Sequence, residues 1–330
     1  MSETTTESWP VRTIRGHPEQ EELRDIRTLV AAALDSDGNP PLSEQTLVDL
    51  ASPDADVDSL LVLLTYAPER EADPATGDDL AGMAVVVLDG DTGVLEIVVH
   101  PSYRNQGVGA LLADTLKAGR GLSGLKAWSH GDHEAAADLA ARYGWTAVRE
   151  LWRMRLTRAL DEPQPIPQPA LPAGISLRSF IPGRDEIHWL KANAAAFVHH
   201  PEQGGMTLAD LRARMAEPWF DPAGFLLATN AAGEILGFHW TKVHPQSGQH
   251  PAIGEVYVVG VTPEAQGSGL GRALTLAGIS HLQSRGLNAI MLYVDADNQA
   301  AVGLYRSLGF TRWDADVMYG PQRDAVENGA

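Results

Sequence analysis

Apolar positions along this chain of 330 residues follow two alternating periods. Between 18 and 34, Leu23, Ile26, Leu29, Val30 and Ala33 recur at three- and four-residue spacing, which predicts a helix with one buried stripe. Asp35-Ser-Asp-Gly-Asn-Pro-Pro41 breaks that pattern, and Ser43 is placed to cap a second short helix to about residue 50. Aliphatic and β-branched runs predict strands at 11–14, 60–66, 83–88 and 94–99. A helix over 108–118, a strand over 125–129, a helix over 134–143 and a strand over 145–156 complete a first set. The same order then recurs, with a strand at 175–178, helices at 185–197 and 208–216, and strands at 225–229, 235–243 and 255–261. A helix at 270–284, a strand at 289–294, a helix at 299–308 and a last strand through 319 close it. Between the two sets, Pro163, Pro165, Pro167, Pro169 and Pro172 forbid helix and favour an extended spacer. The expected division is therefore a domain over 1–158, a linker over 159–174 and a second domain over 175–330.

The strand at 255–261 stops at Thr262-Pro263 and leads into Gln266-Gly267-Ser268-Gly269-Leu270-Gly271-Arg272, a glycine-rich loop that opens a helix. Glycines let the backbone turn its N–H groups inward, and the dipole and unpaired amides of a helix N-terminus favour an anion. A nucleotide P-loop is excluded because Gly271 is followed by Arg272-Ala273 and not by Lys-Ser/Thr. The dinucleotide fingerprint fails because Leu274 stands where its last glycine belongs. The first set carries the same device, His100-Pro101-Ser102-Tyr103-Arg104-Asn105-Gln106-Gly107-Val108-Gly109. At one constant offset Pro101 matches Pro263, Gly107 matches Gly269, Gly109 matches Gly271, and Arg104 replaces Gln266, which indicates an internal duplication.

Strand, turn, Gln/Arg-x-x-Gly-x-Gly loop and helix, in that order, closely resemble the acetyl-CoA site of the GCN5-related N-acetyltransferase superfamily. The resemblance implies an α/β fold of two tandem domains of that superfamily, each a mixed, mostly antiparallel sheet flanked by helices. It also implies acetyl-CoA as cosubstrate and no metal. On this resemblance CoA lies along Val259, Gly260 and Val261, its pyrophosphate rests on the 266–272 loop, and Asn298 and Tyr305 border the pantetheine. Val98, Val99 and His100, with Arg104, Asn105, Gln106, Gly107, Val108 and Gly109, are the equivalents in the first half. The segments 197–205 and 237–245, with Asp37-Gly38 and Leu42-Ser43-Glu44-Gln45, resemble a narrower tandem branch of the superfamily. That branch acetylates the cysteinyl amine of a small thiol pseudodisaccharide, cysteinyl-glucosaminyl-inositol. The likeness implies acceptor contacts at Glu44, Glu202, Lys242, Glu255 and Tyr293.

A net charge of −18 disfavours a nucleic-acid partner, whose phosphates would be repelled over most of the surface, and suits a cationic amine. There is no cysteine, hence no disulfide, no thiolate nucleophile and no thiolate metal site. His130 and His133 sit in a Gly-Asp turn, His199-His200 precede a proline, and none has the His-Glu-x-x-His spacing of a helical metal site, so the histidines read as surface or substrate-lining. The longest apolar runs, such as 81–88, fall well short of the roughly 18 residues a membrane helix needs. The acidic, polar N-terminus is unlike a signal peptide. The expectation is a cytoplasmic monomer acting on a small molecule, with neither membrane nor nucleic acid as partner.

Joining an amine to a thioester carbonyl requires a neutral amine, a polarised carbonyl and a proton for the departing thiolate. Glu255 opens the strand that precedes the loop, and in the superfamily a carboxylate at this place removes the amine proton through water. Tyr293 and Tyr305 are phenols able to protonate the thiolate. Tyr293 is the preferred acid and Tyr305 a wall of the CoA site, although on the sequence the two are interchangeable. The backbone N–H near Val259 is the expected carbonyl polariser, with Gly260 easing a splay of that strand from its neighbour. In the first half the loop alignment sets Gly93 opposite Glu255, with Glu96 close by. Aligning His133 with Asn298 sets Trp128 opposite Tyr293 and Ala140 opposite Tyr305, so the first half lacks both acids and is expected to hold CoA without transferring. Two other readings compete: a protein N-terminal or small-amine acetyltransferase, and a non-catalytic CoA-responsive binding module.

Overall fold

In the computed structural model, residues 9–52, 57–68, 79–157, 167, 169–198, 200–246 and 251–322 are described, and they divide into two units. The first takes the described residues up to Leu151 together with those from Asp314 onward, and the second is Trp152–Trp313. Along the chain the first half runs β1 (Val11–Arg15), α1 (Gln20–Asp37), α2 (Glu44–Ala51), β2 (Leu60–Tyr66), β3 (Leu80–Asp89) and β4 (Thr92–Val99). It continues with α3 (Val108–Gly119), β5 (Leu125–Ser129), α4 (Glu134–Arg142) and β6 (Trp145–Thr157). The second half runs β7 (Ser176–Ser179), α5 (Glu186–Ala196), α6 (Pro201–Gly204), α7 (Leu208–Met215), β8 (Phe225–Thr229), β9 (Ile235–His244) and β10 (Ile253–Val261). α8 (Leu270–Ser284), β11 (Ala289–Asp295), α9 (Gln299–Ser307) and β12 (Thr311–Pro321) complete it.

Helix α1 shows how local chemistry sets the ends. Glu19 and Glu22 form a capping box, and Leu23, Ile26, Leu29 and Ala33 are the buried stripe. The helix does not stop at Asp35 as its composition suggests; it runs to Asp37 and ends at Gly38, whose φ of 69° is the left-handed conformation that closes helices. In β2 successive residues serve opposite faces: Leu60, Val62 and Leu64 pack under α1, while Leu61 and Leu63 join Leu112 and Leu116 of α3. A strand covered on both faces reads as an unbroken apolar run, which is why 60–66 is so legible in the sequence.

The first unit's strands are ordered β1-β2-β3-β4-β5 and then the part of β12 from Asp314, and the second's β7-β8-β9-β10-β11 and then the part of β6 from Trp152. In each, the first four strands pair antiparallel and the fourth pairs parallel with the fifth. The closing strands differ from the expectation that each half completes its own sheet. Val317, Met318 and Tyr319 of β12 pair with Ser129, Trp128 and Ala127 of β5 in the first unit. Met154 and Leu156 of β6 pack with Val256, Ile290 and Leu292 in the second. Period-two alternation tells which face of such a strand is buried but not whose edge it joins. Of the proline-rich spacer, residues 159–166 and 168 lie outside the described residues.

Candidate active site

The two glycine-rich loops have nearly the same conformation. Gly107 and Gly269, each the N-cap of its helix, take φ/ψ of 85°/3° and 85°/0°. Gly267 at φ 74° is matched by Asn105 at φ 62°, a non-glycine residue held in the left-handed region. Arg104 Nε donates to the Val99 carbonyl at 3.2 Å, and Gln266 Nε2 makes the same bond to Val261 at 3.2 Å. The side chains of these loops serve the fold. Leu270 and Val108 are buried, Ser268 Oγ donates to Ala265, and Arg272 reaches Ser307. What remains for an anion is the backbone amides of the loop and of the first turn of α8, the arrangement that suits a pyrophosphate.

Both parallel strand pairs come apart just before their loops. Pairing between β10 and β11 covers Gly254–Ile290, Glu255–Met291 and Val256–Leu292, yet β10 runs on to Val261. Pairing between β4 and β5 ends at Glu96–Trp128, and β4 runs on to Val99. The splay expected beside Val259 is therefore present, but Gly260 is not its cause. A Cβ at Gly260 would lie 2.5 Å from the Phe238 ring, so that glycine is required by close packing. On its other side, against β9, the same strand carries a bulge: Val256 lies opposite Thr241 and Val258 opposite Trp240, leaving Tyr257 extra. No such shift interrupts β3 and β4.

Around the bulge a polar group gathers on the sheet face toward α5 and α7. Glu255 lies opposite Lys242 on β9, and its Oε2 is 2.6 Å from Nε2 of His244, two residues further along the same strand. Glu255 is 5% exposed and Lys242 7%. The Lys242 ammonium lies 4.7 Å from the Trp219 ring centre and 5.2 Å from that of Tyr257, and Arg214 Nε donates to the Tyr257 hydroxyl at 3.1 Å. Burial lowers the Lys242 pKa, an effect that Glu255 partly offsets. Beneath them Trp240 stacks on Phe225 at 4.4 Å and meets Trp189 edge-on at 5.8 Å. Aromatic pairs of this kind contribute about 1 kcal/mol each beyond their burial, which makes a rigid floor.

The register separates the two tyrosines. Glu255 opposite Met291 puts Met291, Tyr293 and Asp295 on the Glu255 face of the sheet. Tyr305 belongs to the apolar cluster on the other face, with Val256, Leu292 and Val294, and is 8% exposed. That burial pushes its phenol up to about 12. Asn298 caps α9 by accepting from the Ala301 amide. His200 Nδ1 lies 3.5 Å from Asp295. Glu202 falls in α6, but its side chain is outside the described residues, and Glu44 opens α2 in the first unit. His244, Tyr257, Trp219 and Arg214 were not singled out by the sequence. Only His244 left a signal, since Trp240, Lys242 and His244 alternate along one strand face.

The first unit fills the corresponding place differently. Its parallel pairing opens with Gly93–Leu125, as the second unit's opens with Gly254–Ile290. The counterpart of Glu255 is therefore Val94 and not Gly93, because the bulge at Tyr257 shifts the count by one. Across the sheet Val87 and Asp89 lie opposite Val94 and Thr92, where the second unit has Lys242 and His244 opposite Glu255 and Ile253. Glu96, which stands where Val258 does, is 1% exposed and bonded to His130 Nε2 at 2.6 Å and to the Ser43 amide at 2.9 Å. His130 Nδ1 faces Asp316 at 3.1 Å, and Asp316 also accepts from Gly131. Carboxylates only accept, so both ring nitrogens must donate and the ring is an imidazolium. Burial opposes that charge, but Asp316 and Glu96 outweigh it and raise the pKa to about 9. His130 is thus an internal cation and not the surface or substrate-lining histidine its turn suggests. The adjoining cavity of about 560 Å³ is bordered by Val98, Val99, Gly107, Gly109 and Trp128. Arg104 and Asp37 also line it and are joined by two bonds of 2.7 Å.

Two units with this strand order, splay and loop define the class, an acyl-CoA-type transferase fold built twice. Residues 189–310 match the model of the acetyltransferase (GNAT) family, and residues 70–147 match that of a GNAT acetyltransferase domain. A tandem GNAT protein from the clavulanic acid pathway shares the fold, with TM-score 0.67 and 20% identity over 94% of this chain and 98% of that one. A GCN5-related N-acetyltransferase from Sphaerobacter thermophilus aligns with TM-score 0.62 and 25% identity over 94% of both. Mycothiol acetyltransferase of Paenarthrobacter aurescens is 66% identical over 97% of this chain and 99% of its own length. That of Arthrobacter sp. FB24 is 66% identical over 98% and 99%. The chain belongs to the mycothiol acetyltransferases of the GNAT family, and it is an acetyltransferase enzyme of mycothiol synthesis. Among the described residues no helix is long and apolar enough to cross a membrane.

Proposed function

We propose that the second unit transfers the acetyl group of acetyl-CoA to the cysteinyl amine of cysteinyl-glucosaminyl-inositol, and that the first unit holds CoA without transferring. The observation that carries this reading is the Glu255, Lys242 and His244 group beside the splayed end of β10, absent from the same place in the first unit. The loop amides of 266–272 hold the pyrophosphate, and the unpaired edge of β10 near Val259 receives the thioester arm and polarises its carbonyl. Glu255 takes a proton from the acceptor ammonium, directly or through one water. The freed amine forms the new C–N bond, the C–S bond breaks, and Tyr293 supplies the proton that the departing thiolate takes up. Tyr293 is favoured over Tyr305 because it shares the Glu255 face, whereas Tyr305 is walled off on the other with its phenol raised to about 12. Lys242, with its ammonium held over Trp219 and Tyr257, donates to acceptor hydroxyls.

A mass-resolved assay offering the full-length protein acetyl-CoA with cysteinyl-glucosaminyl-inositol beside an alanine-terminated peptide tests the acceptor. Acetylation of the pseudodisaccharide is expected. Acetylation of the peptide in its place supports the protein N-terminal reading, and binding of CoA with no transfer to any amine supports a regulatory module.

A further inference from the structure

Resting on Glu255 as the base, we infer that His244 is a positioning residue for it. The carboxylate is buried on the second strand of a hairpin, and its Oε2 lies 2.6 Å from Nε2 of His244. A carboxylate has no hydrogen to give, so Nε2 bears the proton whichever form the ring takes. A donor at that distance does two things for a base. It compensates the ionised form for its loss of water, and it fixes the plane of the carboxylate about its last torsion, which is otherwise broad. The backbone makes this geometry possible. His244 lies opposite Ile253, diagonal to Glu255 on the same face, a spacing within reach of long side chains. His244 stays about a third exposed while Glu255 is closed off, so the pair has one wet end and one dry end. Lys242, directly opposite Glu255, supplies charge, with its ammonium over Trp219 and Tyr257. In the first unit the diagonal pair becomes Asp89 and Val94, so donor and base are missing together.

The test compares His244→Ala, His244→Gln, Glu255→Gln and the double variant His244→Ala/Glu255→Gln in the full-length enzyme, with saturating cysteinyl-glucosaminyl-inositol. Alanine should lower kcat about tenfold while leaving the acetyl-CoA KM unchanged, which also reports an intact fold. Glutamine, whose amide N–H can stand in for Nε2–H, should recover kcat to within about threefold of wild type. The double variant should be no slower than Glu255→Gln alone, because the histidine acts through the carboxylate. A wild-type kcat for His244→Ala beside a slow Glu255→Gln would overturn the role of His244 and leave the base in place. So would a double variant slower than Glu255→Gln by the full alanine effect. A wild-type kcat for Glu255→Gln would instead overturn the assignment of the base.

Discussion

The two units share strand order, splay and loop, and differ in what lies beside the splay. In the second, a bulge adds Tyr257 and the neighbouring positions carry Glu255, Lys242 and His244. In the first, the strand is regular, those positions are Val94, Val87 and Asp89, and an imidazolium is locked between Glu96 and Asp316. Both units can offer amides to a phosphate, because that requires only backbone in the right shape. Proton transfer needs particular side chains on one face, and the first unit has replaced them with aliphatic packing and an internal salt cluster. On the proposed reading, binding and chemistry are separable in this fold, one copy keeping the loop without the side chains that the transfer uses.

The sharpest way to press on this contrast is at the two tyrosines. Tyr293→Phe should lower kcat by about 10- to 100-fold, whereas Tyr305→Phe should change it less than about threefold; equal losses in steady-state assays would erase the distinction between the faces. Next comes the first unit's internal cation. The folded pKa of His130, about 9, lies above the unfolded value of 6.5, so its stabilisation is complete below about 6.5 and is lost as pH rises through 9. Denaturant midpoints should therefore show wild type ahead of His130→Gln by on the order of 2 kcal/mol near pH 6, with the gap closing toward pH 9. A smaller effect is expected at Gly269, where alanine at φ 85° is strained by about 1 to 2 kcal/mol and should raise the acetyl-CoA KM roughly tenfold. Smallest is Trp219→Ala, which removes one ring from under Lys242 and should raise the acceptor KM about threefold without moving kcat.

Much of this was legible in the residues. Apolar periodicity located the strands and helices because most are buried on one stripe or on both faces. The duplicated loops stood out because αL positions and tight helix starts tolerate few residue types. The register of β10 was not legible: a bulge costs one residue and carries no marker of its own, so counting back from Gly269 set Glu255 against Gly93 when its counterpart is Val94. Nor were β6 and β12 placed correctly, since edge choice depends on partners distant in sequence. His130 looked like a turn histidine because its carboxylates, Glu96 and Asp316, come from far along the chain. Gly260 was given a role in the splay, whereas its place in the structure is to admit Phe238, and the first unit splays in the same way with Val98 there.

The central claim is that transfer depends on the carboxylate beside the second unit's splay. Its most direct test is single-turnover acetylation of cysteinyl-glucosaminyl-inositol by full-length Glu255→Gln, followed by mass. The account predicts transfer slowed by about 100-fold or more with acetyl-CoA still bound. Transfer at the wild-type rate would contradict it.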